Sequence, residues 1–167
     1  MKKADVAEAL RYATEQHEGQ LRKDGRTPYI EHPKAVMAIV RDEFGVDDPD
    51  VLAAALLHDT IEDTNADYDD IRDRFGKRVA DWVAVLTKDN RLPDARRERE
   101  YFRGLAKAPL QARLCKIADS THNLRDSAKA SMRTKAKQKA RKLLSIYRND
   151  RRLAKALSIL RREVLSN

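Results

Sequence analysis

The chain has 167 residues, 41% of them apolar, with one tryptophan, one cysteine and a net charge of +8. That length supports one domain with a real core and leaves too little material for two. No apolar run approaches the roughly 20 residues of a membrane span, and MKKADVAEAL lacks the apolar stretch of a secretory signal, so a soluble, cytoplasmic protein without a membrane partner is expected.

Periodicity is helical nearly throughout, with only five glycines and five prolines and no convincing alternating strand pattern, which predicts an all-α fold. Asp5 is placed to cap a first helix through about Glu18, with Val6, Ala9, Leu10, Ala13 and His17 on one face. Gly25 and Pro28 make Gly19 to Glu31 a loop. Pro33 suits the first turn of a second helix that Gly45 stops, and Asp48-Pro49 opens a third, central helix through VLAAALLHD. Asp67 caps a short helix to Phe75-Gly76, and another through Val79, Val83 and Leu86 ends near Thr87. The polar run KDNRLPD is a surface loop before the charged helix of ARREREYFRGLA. Pro109 begins a helix whose stripe of Leu110, Leu114, Ile117 and Ala118 leads to Asp119 and Asn123. Two final helices, near 133–148 and 150–165, are expected to bury Leu143, Leu144, Ile146, Tyr147, Leu153, Leu157 and Leu160.

Charge divides unevenly along the chain. Residues 1–128 carry 22 basic and 25 acidic side chains, whereas 129–167 carry 13 and 2, so the positive charge belongs to the C-terminal segment. Such a segment attracts phosphate-rich ligands or nucleic acid, or is simply the solvated face of helices. Beyond residue 128 the only aromatic residue is Tyr147, so base stacking has little support and nucleic acid is not the expected partner. A homo-oligomer is compatible with these residues but is not specified by them. Cys115, between Leu114 and Ile117, reads as a buried structural thiol and excludes an intrachain disulfide.

The chemistry concentrates in LLHDTIEDT, where His58, Asp59, Glu62 and Asp63 end an apolar helix. A His-Asp doublet offers one nitrogen and one oxygen to a metal ion, and an acid pair one turn later can handle the proton of an attacking water. If the helix continues, Glu62 lies beneath His58 and Asp63 beneath Asp59. The plainer alternative is a histidine and an aspartate that cap a helix end. A divalent ion needs more ligands than two, and His32 in YIEHP and Asp119 in KIAD are candidates. His17 reads as a hydrogen-bonded core histidine, and His122 as a support to the site.

His32, then His58-Asp59, then Asp119 resembles the H…HD…D signature of the HD metal-dependent phosphohydrolase superfamily. HEGQLRKDGRTPYIEHP, LLHDTIEDT, the Phe75-Gly76 and Thr87-Lys88 stretch and KIADSTHNLRD are similar to the (p)ppGpp hydrolase domain of Rel/SpoT-type stringent-response enzymes. The resemblance covers roughly residues 4–128 and implies a stand-alone small alarmone hydrolase of the Mesh type. On that basis 1–167 is expected to form a single HD helical bundle, with a metal-binding core over about 4–128 and basic helices over about 129–167 packed on it.

The resemblance further implies one Mn²⁺ held by His32, His58, Asp59 and Asp119, with Glu62 and Asp63 positioning and deprotonating the attacking water. The implied substrate is a nucleotide, a guanosine alarmone that loses its 3′-pyrophosphate. Arg22 and Lys23 fall where the family contacts the base, Asn123 near ribose and phosphates, and Met132 where an apolar side chain packs on the base. Ser120 departs from the pattern, because relatives usually carry a basic residue there. Two other readings follow: the same site acting on adenine alarmones or as an NADPH phosphatase, and a basic nucleic-acid-binding module. The donor types alone also suit iron or zinc.

Overall fold

The computed structural model describes residues 3–127 and 129–166. Within them the fold is all-α, apart from one isolated antiparallel bridge between Leu21 and Pro28. The expected division near residue 128 falls outside the described residues.

Helix α1 (Val6–Gln16) starts where expected, because the Asp5 carboxylate accepts the backbone N–H groups of Ala7 and Glu8. A loop follows, and α2 (Glu31–Ala38) runs on through a π turn at Ile39–Glu43 to Gly45, whose φ of +77° ends it. Helix α3 (Pro49–Leu57) is capped by Asp48, and every residue from Asp50 to Leu57 is buried. A helix apolar on all sides belongs at the centre of a bundle. It packs against α1, α2, α6 (Lys77–Leu86) and α8 (Leu110–Arg125). Leu52, Leu56 and Leu57 each contribute roughly 1.5–3 kcal/mol of burial.

The four-residue α4 (Thr60–Asp63) leads to α5 (Tyr68–Phe75), which opens with a reciprocal capping box between Asp67 and Asp70. Gly76, at φ +89°, turns the chain into α6. After the predicted polar loop comes α7 (Asp94–Lys107), and Pro109 precedes α8. Helix α9 (Ala130–Ile146) begins about one turn before the expected residue 133, where no side-chain cap marks its start. A 3₁₀ turn (Arg151–Leu153) precedes α10 (Ala154–Leu165). Both last helices pack on α8.

Ile146 corrects the expected core, since it is 38% exposed. The inward stripe of α9 is Ala136, Ala140, Leu143 and Tyr147, and at 100° per residue Ile146 sits roughly 90° off it. Leu144, at the other margin, is only partly buried. Cys115 is fully buried, and burial pushes its thiol up to about 12.

Candidate metal centre

The apolar helix does not run through the histidine–aspartate pair. Helix α3 stops at Leu57, Asp59 takes φ −104° and ψ −5°, and α4 starts afresh at Thr60. Side chains take over the carbonyls that a continuing helix would use: His58 Nδ1 donates to Ala55 O at 2.7 Å and Thr60 Oγ1 donates to Leu57 O at 2.7 Å. The helix does not continue from His58, so the condition for Glu62 to lie beneath it is not met, while Asp63 stays one turn from Asp59, its backbone N–H donating to Asp59 O at 2.9 Å. Glu62 instead faces the loop after α6, where Lys88 donates its backbone N–H to Oε2 at 3.0 Å and its ammonium to Oε1 at 2.7 Å.

Three elements bring their side chains to one point. His32 comes from the first turn of α2, His58 and Asp59 from the end of α3, and Asp119 from the middle of α8. One ligand atom from each of His32, His58 and Asp59 lies within 4.8 Å of the others. Asp59 Oδ2 is 3.1 Å from His58 Nε2 and 3.6 Å from His32 Nε2. Asp119 Oδ1 closes the other side, 3.2 Å from His32 Nε2 and 3.8 Å from His58 Nε2.

The hydrogen bonds fix which nitrogens face inward. A carbonyl can only accept, so His58 carries a proton on Nδ1 and turns Nε2 toward the carboxylates, where it offers a lone pair once the imidazole is neutral. That Nε2 is buried and has no hydrogen-bond partner among the described residues. A polar atom left this way needs an explanation, and a cation between it and the carboxylates supplies one. His32 Nδ1 lies 2.8 Å from His122 Nδ1. Burial and the neighbouring His32 bring the His122 imidazole down to about 4, so it is neutral and can accept from His32. His32 Nε2 is then also free to face an ion.

Electrostatics point the same way. Burial acts to lower His58, but the Asp59 and Asp119 carboxylates outweigh it and push the imidazole up to about 9. The pocket is built to hold positive charge. Asp119 Oδ2 is itself held by Lys116, 2.6 Å away and one helical turn earlier, and Asn123 donates to Oδ1. Burial opposes the charged forms of Lys116 and Asp119, yet their pairing raises the ammonium and depresses the carboxyl.

The remaining candidates divide. Asp63 is exposed at its surface, yet desolvation on its inner side together with the Asp59 charge raises its carboxyl. Arg22 lies beside α8, its guanidinium bonded to Asp126 at 2.6 Å and to Asn123 at 3.3 Å. Lys23 is exposed in the loop after α1, and Met132 is partly buried early in α9; the described contacts join neither to the cluster. Ser120 is 7% exposed, so this position faces the interior. His17 is buried as expected, with Nδ1 2.8 Å from Gln20 Oε1. Sequence reasoning passed over Tyr29, Lys88 and Lys116. Each stands inside a quoted motif, and Lys116 is three residues before Asp119, the spacing of a helical ion pair.

A family model described as the HD domain matches residues 9–159. The chain belongs to the HD-domain family. The matched range includes His58-Asp59, at the helix break described above. Among curated relatives, the MESH1 guanosine-3′,5′-bis(diphosphate) 3′-pyrophosphohydrolase of Xenopus tropicalis is 43% identical over 122 residues, 72% of this chain and 68% of that protein. The bifunctional (p)ppGpp synthase/hydrolase SpoT of Escherichia coli is 41% identical over 149 residues, 85% of this HD-domain chain and 20% of SpoT. The solved structure of a metazoan SpoT ortholog that hydrolyzes ppGpp superposes with a TM-score of 0.83 at 33% identity, covering 99% of both chains. Among the described residues no helix is long and apolar enough to cross a membrane.

Proposed function

We propose that this protein is a cytoplasmic, Mn²⁺-dependent guanosine-3′,5′-bis(diphosphate) 3′-pyrophosphohydrolase that converts (p)ppGpp to GDP or GTP and pyrophosphate. The observation that carries this reading is the convergence of His32, His58 and Asp59 ligand atoms within 4.8 Å, in an HD-domain chain 43% identical to a hydrolase of that name. His32, His58, Asp59 and Asp119 are the proposed ligands. Their nitrogen–oxygen set fits a divalent ion of this class, and the choice of manganese follows from the resemblance to Rel/SpoT hydrolases. Such an ion supplies positive charge to a phosphoryl oxygen and acidifies water.

The chain's own groups do the rest. Asp63, whose carboxyl is raised by burial and by Asp59, accepts the proton of the attacking water. Glu62, fixed on both oxygens by Lys88, orients that water. The water oxygen bonds to the phosphorus on the nucleotide 3′ oxygen, the bond between them breaks, and the 3′ oxygen takes a proton as pyrophosphate leaves. Arg22 and Lys23 are proposed to meet the base, Asn123 the ribose and phosphates, and Met132 the face of the base. Helices α9 and α10, packed on α8, are proposed to belong to the same domain as the core.

Purified protein with ppGpp and Mn²⁺ should release pyrophosphate, lose that activity in EDTA and regain it with added Mn²⁺. Absence of release overturns the assignment. A panel that includes an adenine alarmone and NADPH, ranked by kcat/KM, tests the choice of substrate.

A further inference from the structure

Tyr29 is unused in the mechanism above, yet it touches both carboxylates that flank the site. Its hydroxyl lies 2.7 Å from Asp59 Oδ2 and 3.1 Å from Asp63 Oδ2. Asp59 Oδ2 is also the oxygen 3.1 Å from His58 Nε2, so the hydroxyl bonds the atom that faces the ion position. Asp59 caps α4 and Asp63 ends it, with the Asp63 backbone N–H donating to Asp59 O at 2.9 Å, and among the described residues the Tyr29 hydroxyl is the one group hydrogen-bonded to both of their side chains.

The ring itself is pinned. It stacks on His17 with centroids 4.7 Å apart and planes 28° apart, meets the edge of His32 at 6.0 Å, and lies under the Arg22 guanidinium at 5.5 Å. His17 is held by Gln20, whose amide donates to the Asp63 backbone carbonyl at 2.8 Å. The loop after α1 is thus fastened to α4 at two points, by the Gln20 amide and the Tyr29 hydroxyl. A hydroxyl this constrained fixes the orientation of its acceptors, which a mobile loop side chain cannot do.

We propose that Tyr29 is a positioning residue, whose hydroxyl sets the Asp59 carboxylate for the metal ion and ties Asp63 to the same point. A phenol has one proton to donate, so the hydroxyl can serve only one carboxylate at a time. A cation on Asp59 Oδ2 competes for that oxygen's lone pairs and leaves the hydroxyl to Asp63. Metal occupancy and the orientation of Asp63 are coupled through one side chain. This inference rests on the proposed metal site.

The test is Tyr29→Phe, which keeps the stacked ring and removes only the oxygen. Calorimetric titration of the metal-free protein with Mn²⁺ should show affinity about tenfold weaker than wild type, in the range typical of groups that support metal ligands. Turnover of ppGpp should lose kcat with KM within about twofold, since no substrate contact is removed. Circular dichroism and the melting temperature of the variant report whether the fold is kept. In a double-mutant cycle, Asp63→Asn should cost less kcat in the Tyr29→Phe background than in wild type, whereas a merely structural tyrosine gives additive effects. Wild-type protein that binds Mn²⁺, with Tyr29→Phe binding within twofold of it and additive kcat effects, overturns this inference alone. Wild-type protein that takes up no metal overturns the proposed function and this inference with it.

Discussion

Lys88 grips Glu62 with two groups at once: its ammonium is 2.7 Å from Oε1 and its own backbone N–H is 3.0 Å from Oε2. The acid that the motif offers as catalytic is thereby anchored to the loop after α6. Its carboxylate is held, partly buried, in a fixed orientation. Lys88→Met should retain bound metal, because no proposed ligand is touched, while stability drops by about 1 kcal/mol and kcat falls. Metal content and ppGpp turnover on one preparation check this, and a variant with wild-type kcat would show that Glu62 needs no anchor.

Removing a proposed ligand acts differently from removing an acid beside it. His58→Ala deletes an inward-facing nitrogen, so metal and activity should be lost together while the far-ultraviolet helical signal largely persists. Glu62→Gln should keep the metal and lose turnover. Elemental analysis of both variants separates the two roles.

The thiol of Cys115 is fully buried, and that burial pushes it up to about 12. It should resist iodoacetamide at pH 8, where an exposed cysteine near its ordinary value of 9.0 is partly thiolate. Mass spectrometry should find labelling only after denaturation. Rapid labelling of the native protein would contradict the packing of α8 against α3.

Asp150 tests the C-terminal junction. Its hydrogen bonds from Arg152, joined by Arg113, hold its carboxyl at about 2, below an ordinary 3.8. A carboxyl depressed in the folded state stabilises the fold above its unfolded value, and that contribution is lost as pH falls through the folded value. Stability should therefore decline between about pH 4 and 2, and Asp150→Asn should remove that part of the acid dependence. Denaturant unfolding at stepped pH reads it directly.

Helix α9 should unfold with the rest of the molecule. Leu143 is fully buried, and the Tyr147 hydroxyl donates to Leu105 O at 2.9 Å. Leu143→Ala should cost about 2–5 kcal/mol and lower the single melting transition as a whole. An early partial transition, with the core unchanged, would mean that the basic segment forms a separate unit.

Local rules made much of the fold legible. Asp5, Asp48-Pro49 and Asp67 mark helix starts that the structure shows, because a cap depends on the few residues around it. The start of α9 and the exposure of Ile146 were missed, since neither has a local marker and both depend on how α9 lies against α8. The HD pair was conspicuous because ionisable groups at the end of an all-apolar helix have no solvent to explain them.

What the residues determined alone is the helical class, the cap positions, and His32 and Asp119 as candidates to join His58-Asp59; the resemblance grouped the four as one set of donors. Only the tertiary structure decided that the chain breaks between His58 and Thr60, that Glu62 turns to Lys88, and that Tyr29 spans Asp59 and Asp63. Periodicity and capping are short-range properties written into neighbouring positions. The partner of a buried carboxylate is chosen by desolvation, which makes an unpaired charge costly and selects whichever donor the packing of distant segments brings within reach.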